Sequence, residues 1–256
     1  MKAYKIAEII EKYAPQSLAY PWDNVGILCG SGEKEVKKAL LTLDTNEYTV
    51  NEAVTSGCDM IISHHPIFLN GIKRIDLSSS EGRMIKTLIE NGITVFAAHT
   101  NMDTAERGIN SALAELFLLR DVKIIEENGE NTGLGRYGRL DLPVTLKEFS
   151  KTVKEKLKTP FVRVSGDLKK EIITVGVASG SCADIIPAAL RKGCDVIITA
   201  DMKYHNTIEN VESGIAVIDA GHYPTETIVM DIFENLLKDT GIEMVKSKNK
   251  DIFQFI

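Results

Sequence analysis

The chain has 256 residues, 44% of them hydrophobic and 26% charged, and a formal net charge of −6. This length can bury the core of one large domain or of two small ones. The acidic balance argues against a dominant nucleic-acid-binding surface, which normally carries an excess of basic residues. The cysteines are scattered, no apolar stretch reaches about 20 residues, and the N-terminus is amphipathic, so we expect a cytoplasmic protein without a membrane span.

In chain order, short β-branched runs alternate with amphipathic stretches after a first helix predicted near the N-terminus. Strands are predicted at residues 26–30, 39–44, 60–63, 93–98, 122–125, 173–178, 195–199 and 215–220. Helices are predicted near residues 46–56, 80–91, 105–118, 145–157, 183–192, 204–213 and 225–238. This alternation predicts an α/β fold with mostly parallel sheets.

Two similar α/β halves are predicted, residues 1–126 and residues 127–256. The boundary is placed at a stretch rich in Gly and Asn, ENGENTGLGRYG, and sequence echoes support the division. GCDMIIS (57–63) recurs as GCDVIIT (193–199), and GITVFAAH (92–99) recurs, one residue longer, as GIAVIDAGH (214–222). The alternative is that buried strands resemble one another without any repeat.

All five histidines follow a predicted strand or lie in the loop that the strand feeds. His64 and His65 come after MIIS, His99 after ITVFAA and His222 after IAVIDA, while His205 lies six residues beyond DVIIT. Ligands of open α/β sheets bind outside the carboxyl ends of the strands, where loops converge. These side chains can therefore meet in a cleft between the halves.

Carboxylates accompany two of these histidines. Asp103 lies four residues after His99, and Glu226 lies four residues after His222. Pro224 is a natural first helical residue, which would put Glu226 in the first turn of a helix and His222 just outside it. Imidazoles and carboxylates without cysteine suit Zn, Fe, Mn or Ni.

The number of these side chains suits two divalent ions about 3.5–4 Å apart better than one tetrahedral ion. Each residue also has an ordinary alternative. A lone histidine such as His205 is usually a strand-end cap or a core residue, and Asp103 alone would more often be a helix N-cap.

Seven stretches resemble motifs of the GTP cyclohydrolase I type 2 homologue family, also called YbgI-like or NGG1-interacting-factor-like proteins. They are PWDNVGILCG (21–30), LTLDT (41–45), ISHHPIF (62–68), AHTNMD (98–103), GLGRYG (133–138), KYH (203–205) and GHYPTE (221–226). The resemblance implies two metal ions per subunit and a ring-shaped homo-hexamer, with this chain a short form that lacks the domain inserted in some relatives. It implies the metal ligands His64, His65, Asp103, His222 and Glu226.

By the same resemblance, Glu226 would bridge the two ions and His99 would lie among or next to the ligands. Other side chains are candidates for supporting roles. Asp44 ends a strand and could orient a ligand imidazole, because a metal-bound histidine usually donates its second N–H to an oxygen. Lys203, Tyr204 and His205 could supply a general acid or a substrate contact.

Two glycine-containing loops are candidate phosphate sites. GLGRYG formally matches a dinucleotide motif, but the extended RLDLP follows it instead of a helix, so we reject that interpretation. Ser179, Gly180 and Ser181 lie between a strand and a predicted helix, where backbone amides could bind a substrate phosphate. A tight turn with a serine cap explains this loop equally well. Trp22 is expected to pack between the halves rather than stack on a base.

The predicted function is a dinuclear metal-dependent hydrolase, in which a hydroxide bridging the two ions attacks the substrate and His99 or His205 moves a proton. By resemblance the substrate is GTP, a small nucleotide, with water attacking guanine C8 and formate leaving. The alternatives are a metal-dependent phosphoesterase and a metal-handling or interaction protein without turnover. Neither a membrane nor a nucleic acid is expected as a partner.

Overall fold

A computed structural model describes residues 1–254 of the chain. The chain divides into two compact units, each with one β-sheet. The first unit comprises Met1–Ala105 and Val229–Lys250, and the second comprises Glu106–Ile228 with the described residues from Asp251 onward. No helix of the described chain is long and apolar enough to cross a membrane.

The first unit is built on a five-stranded sheet in the order β1-β4-β3-β2-β11, in which only β1 runs antiparallel to its neighbour. Its strands are β1 (Gly26–Cys29), β2 (Lys38–Thr42), β3 (Met60–Ser63), β4 (Thr94–Ala97) and β11 (Glu243–Lys246). Its helices are α1 (Ala3–Tyr13), α2 (Glu47–Thr55), α3 (Ser80–Glu90), α4 (Thr100–Thr104) and α10 (Val229–Leu237), with a 3₁₀ turn at Gln16–Leu18.

The second unit is built on a six-stranded sheet in the order β5-β6-β8-β9-β10-β7, parallel at β8-β9-β10 and antiparallel elsewhere. Its strands are β5 (Arg120–Gly129), β6 (Thr132–Thr145), β7 (Arg163–Ser165), β8 (Glu171–Val177), β9 (Val196–Thr199) and β10 (Ala216–Asp219). Its helices are α5 (Ile109–Leu116), α6 (Leu146–Lys156), α7 (Ile186–Arg191), α8 (Tyr204–Glu212) and α9 (His222–Glu226), with a 3₁₀ turn at Ala183–Ile185.

The two sheets share a topology, which confirms the prediction of similar α/β halves. The order β1-β4-β3-β2 in the first sheet matches β7-β10-β9-β8 in the second, with the same strand directions. Helices fall at the same points of each succession, ahead of the edge strand and between the parallel strands. GCDMIIS and GCDVIIT therefore end in equivalent strands of the two units, β3 and β9.

The central strands explain why the pattern was readable from sequence. β3, β4, β9 and β10 are buried at every position, as expected for parallel strands covered on both faces by helices. A repeated aspartate holds the amino ends of these sheets. Asp59 accepts hydrogen bonds from the amides of Lys37 and Lys38, and Asp195 accepts from those of Ile173 and Thr174.

The Gly- and Asn-rich stretch at which the boundary is predicted is part of a β-hairpin. The boundary expected at 126/127 lies within β5, and the stretch forms the turn of the β5–β6 hairpin. Asn131 adopts the left-handed conformation at φ 57° that tight hairpin turns require. GLGRYG lies inside β6, in agreement with the rejection of a dinucleotide site.

Candidate metal centre

The histidine doublet in the first unit lies immediately after β3, so neither ring is constrained by the alternation of a strand. The two ring centroids are 5.1 Å apart. His64 is completely buried, and its Nδ1 lies 2.8 Å from the carbonyl oxygen of Ala98. His65 Nδ1 lies 2.7 Å from Asp44 Oδ1, a contact that fixes the orientation of an imidazole.

His99 joins this doublet from the end of the neighbouring strand. It caps α4, and its Nδ1 lies 2.8 Å from Asp23 Oδ1. Burial alone would raise the pKa of Asp23, but hydrogen bonds from His99 and Thr100 outweigh burial and hold the pKa of this carboxyl well below its usual range. Asp23 is therefore an ionised acceptor for the imidazole N–H.

The first unit thus brings several ligand atoms together. One nitrogen each of His64, His65 and His99 lies within 4.8 Å of the other two. Asp103 Oδ1 lies 3.8 Å from His64 Nε2. Two ligands about 2.1 Å from one tetrahedral ion lie about 3.4 Å apart, close to this separation. Asp103 is inside α4 and is not the N-cap of α5, which is Gly108.

The second unit contributes a smaller cluster at the end of β10. His222 Nε2 lies 2.9 Å from Glu226 Oε2, and His222 Nδ1 lies 2.7 Å from Asp201 Oδ2. The predicted start of this helix at Pro224 is wrong, because Gly221 turns the chain at φ 87° and α9 already begins at His222. His222 and Glu226 are therefore one helical turn apart on the same helix.

The four histidines in these clusters share one feature that tests whether a metal fits. Each places Nδ1 against an oxygen acceptor, which is a backbone carbonyl for His64 and an aspartate for His65, His99 and His222. A neutral imidazole that donates from Nδ1 presents the lone pair of Nε2 to a cation. A carboxylate beside such a lone pair, as at Glu226, is favourable only with a proton or metal ion next to both. The donor set therefore fits a divalent metal.

The loop at Ser179 and Gly180 is not arranged as an anion cradle. Its amides donate within the unit: Ser179 to Asn110 Oδ1, Gly180 to Thr225 Oγ1 and the following Cys182 to Thr199 Oγ1. A Cβ on Gly180 would lie 2.1 Å from Glu226 Oε1, and the backbone there has φ 62°. These observations favour a tight turn that packs against Glu226, which is one part of the alternative that the sequence left open. The serine cap of that alternative is not found, because the N-cap of the following 3₁₀ turn is Cys182 and its side chain makes no capping hydrogen bond.

The remaining candidates are not gathered into a cluster. Lys203 caps α8, and Tyr204 and His205 begin that helix on its exposed side. Among residues 1–254, His205 does not belong to any group of three metal-ligating side chains. The expected packing of Trp22 is wrong, because its side chain is 57% exposed, stacked on Tyr20 and edge-on to His99.

Two aspartates that contact these histidines have no role in the motifs of the sequence: Asp23 lies within PWDN, and Asp201 lies outside every motif named above. Asp201 could have been found from the repeat, because GCDVIIT continues to Asp201 where GCDMIIS continues to His65. Asp44 and His65 are separated by 21 positions, as are Asp201 and His222. No comparable signal marks Asp23, which lies 76 positions before His99.

Comparison with known proteins identifies the family. A family model described as Duf34/NIF3 (NGG1p interacting factor 3) matches residues 1–252. The chain belongs to the DUF34/NIF3 family. A relative from Clostridium acetobutylicum named GTP cyclohydrolase 1 type 2 homolog is 36% identical, with 100% of this chain and 99% of the relative aligned. The resemblance read from the sequence motifs is confirmed.

Two further comparisons bear on the fold and on the length of the chain. The structure of a Bacillus cereus protein related to NIF3 superposes with a TM-score of 0.94 at 24% identity, covering 100% of this chain and 99% of that chain. A homolog from Halalkalibacterium halodurans, 25% identical, aligns over 364 residues with 98% of each protein covered. That relative carries residues without a counterpart among the 256 here, so this chain is a short form.

Proposed function

We propose that this protein is a metal-dependent hydrolase that uses two divalent metal ions, drawn from Zn, Fe, Mn and Ni. The proposed ligands come from both units, with Glu226 shared by the two ions: His64, His65, Asp103, His222 and Glu226. The observation that carries the proposal is the oxygen acceptor at Nδ1 of each of the three proposed histidine ligands, an arrangement in which Nε2 is the nitrogen that faces a metal ion.

When bound, such ions would act as Lewis acids and lower the pKa of a bound water toward about 7. The residues of the chain would orient and shield this chemistry. Asp44 and Asp201 hold the rings of His65 and His222 at 2.7 Å. Burial of His64 excludes water and strengthens electrostatic interactions at that ring.

We assign the proton transfer to His99 in preference to His205. The ring centroid of His99 lies 5.1 Å from that of His64, and ionised Asp23 accepts its Nδ1 proton, so Nε2 can take up or release a proton next to the ligands. His205 has the ring of exposed Tyr204 as its described neighbour, at 5.5 Å.

The proposed substrate is GTP, on the strength of the name that the relatives carry. One water would add to C8 of the guanine and open the imidazole ring to a formamide. A second water would hydrolyse the formamide and release formate. The base, ribose and phosphates would otherwise leave unchanged.

Metal analysis of the purified protein followed by an assay of formate release from GTP tests the proposal. The metal-loaded wild type should contain two ions per chain and release formate, Glu226→Ala should do neither, and His205→Ala should retain both. A wild type that releases no more formate than Glu226→Ala would exclude the GTP reaction. Turnover of phosphodiesters would then indicate a phosphoesterase, and inertness toward both substrates would favour a metal-handling protein.

We further propose that the protein acts in the cytoplasm as a homo-hexamer. The four cysteines form no disulfide within the described chain, and burial raises the pKa of the Cys58 thiol to about 11 and that of Cys194 to about 12. Both thiols therefore stay protonated and unreactive. Light scattering coupled to gel filtration tests the assembly, and a mass of one or two chains would contradict it.

A further inference from the structure

A buried carboxylate lies behind the smaller ligand cluster. Asp219 ends β10 and is 6% exposed. Its Oδ2 accepts a hydrogen bond from the backbone N–H of Met202 at 3.0 Å, and its Oδ1 accepts one from Gly221 at 3.2 Å. Burial of a carboxylate is unfavourable without such partners, so these contacts hold the side chain and both loops together.

The two amides belong to the loops that carry Asp201 and His222. Met202 follows Asp201, and Gly221 precedes His222. Asp201 is a non-glycine residue in the left-handed region, at φ 56°, and Gly221 lies at φ 87°. A left-handed non-glycine residue persists only where surrounding contacts determine its conformation. The Asp219 carboxylate therefore contacts both loops. The loops carry Asp201 and His222, whose Oδ2 and Nδ1 atoms lie 2.7 Å apart.

Arg163 completes this arrangement from the edge strand. It is the register partner of Asp219 in the antiparallel β7–β10 pair, and its Nη2 donates both to Asp219 and to the carbonyl oxygen of Met202. The peptide groups on both sides of Met202 are therefore held, the N–H by Asp219 and the carbonyl by Arg163. The backbone that follows Asp201 has little freedom to turn away from His222.

The first unit lacks this device. In the repeat, Ala97 stands at the end of β4 where Asp219 stands at the end of β10. The methyl side chain of Ala97 cannot accept a hydrogen bond from the loop after β3. In that unit, the position of Asp201 is held by His65, a proposed ligand with its own aspartate.

We infer that Asp219 is a positioning residue for the His222 ligand: through the amides of Met202 and Gly221 it fixes Asp201 against His222 Nδ1. This inference rests on the proposed function, because His222 is a proposed metal ligand. Asp219 touches neither the metal nor the substrate. Its effect should therefore be transmitted entirely through Asp201.

The test is titration of metal-free full-length protein with Co²⁺, followed by its visible absorption. Asp219→Asn should lower the affinity for one of the two Co²⁺ ions by about 10- to 100-fold and leave the affinity for the other unchanged. A loss of this size is typical when a residue that orients a metal ligand is removed. Asp201→Asn should weaken the same ion. The double variant Asp201→Asn/Asp219→Asn should bind that ion no more weakly than Asp201→Asn alone, because both changes remove one interaction.

Asp195→Asn is the matched control. Asp195 also accepts two backbone amides of the same unit, those of Ile173 and Thr174, but at the opposite end of β9. Its loss should lower the melting temperature to an extent similar to that of Asp219→Asn without changing Co²⁺ affinity. Equal loss of affinity in both variants would show that Asp219 contributes only to general stability and would overturn the inference.

A structural measurement separates this inference from the proposed function. If the wild type binds no Co²⁺, the proposed function fails, and a crystal structure of metal-free Asp219→Asn then decides about Asp219. Loss of the contact between Asp201 and His222 Nδ1 would support the positioning role. Retention of that contact at 2.7 Å, or additive effects of the two substitutions on Co²⁺ affinity, would overturn it.

Discussion

The ligand clusters of the two units arise from the same succession of strands and helices but differ in burial and in composition. In the first unit, the imidazoles of His65 and His99 lie next to that of His64, a ring that solvent does not reach. In the second, one imidazole, His222, has a side chain that is 34% exposed and pairs with a carboxylate on its own helix. His65 and Asp201 occupy equivalent positions of the repeat, yet one is a candidate ligand and the other contacts a candidate ligand, His222.

This difference teaches how one architecture can supply unequal parts of a site. A histidine and an acid lie four residues apart after β4 and again after β10. The pairs are His99 with Asp103 and His222 with Glu226. In α9 the two side chains meet, whereas in α4 His99 turns to Asp23 and Asp103 lies near His64. A spacing of four residues allows a histidine and an acid to come into contact, and contacts with neighbouring loops determine which of these pairs form.

Truncation of the most buried ring should produce the largest effect and should distinguish the two clusters. His64→Ala removes a proposed ligand and leaves a cavity in the core, so we expect loss of tight metal binding and about 2–4 kcal/mol of stability. His222→Ala should lose metal affinity with less than about 1 kcal/mol of stability, because its ring is partly solvated. Urea unfolding of the two metal-free variants measures how much stability each has lost. Equal losses would contradict the difference in burial between the two clusters.

The second-unit cluster should be sensitive to a single methyl group. In Gly180→Ala the new Cβ would meet the Glu226 carboxylate, so metal affinity should fall by about 10- to 100-fold, as for disrupted metal partners. Gly193→Ala is the matched control, since Gly193 also has positive φ, at 81°, but no atom lies within 4 Å of its Cβ position. Both variants should lose about 1 kcal/mol from backbone strain. Isothermal titration with Zn²⁺ should therefore separate them, and equal Zn²⁺ affinities would refute the role of Gly180.

These expectations rest on contacts of which only a part could be predicted from sequence. The strands and the placement of His64, His99 and His222 follow from local patterns, since buried runs and strand ends are written in consecutive residues. The partner of His99 could not be predicted, because Asp23 comes from a loop far away in the chain and no spacing rule links the two. The start of α9 was misplaced because the backbone of Gly221 outweighs the preference of Pro224 for a first helical position.

Acid should weaken the contribution that Asp23 makes to the stability of the first unit. The folded-state pKa of Asp23 is depressed below the ordinary value of 3.8, so its carboxylate stabilises the fold above that value and loses this effect as pH falls through the folded-state pKa. The stability difference between metal-free wild type and Asp23→Asn should therefore be constant above about pH 5 and shrink below about pH 4. Denaturant unfolding between pH 2 and 7 measures it, and a difference that grows toward low pH would contradict the hydrogen-bonded carboxylate.

The smallest expected effect is a change in tryptophan fluorescence, which should report metal binding at the first-unit cluster alone. Trp22 is the single tryptophan of the chain, and its ring centroid lies 6.1 Å from that of His99. Ni²⁺ bound at His64 and His65 should quench its fluorescence, while the exposure of Trp22 means that Trp22→Phe should change stability by less than about 0.5 kcal/mol. Quenching should be lost in His64→Ala and should persist in Asp201→Asn, because that change acts on the ring of His222 and leaves the ligands of the first unit intact. Loss of quenching in both variants would mean that the two clusters do not bind metal independently. The contrast between the buried first-unit cluster and the partly exposed second-unit cluster would then not describe how the ions are bound.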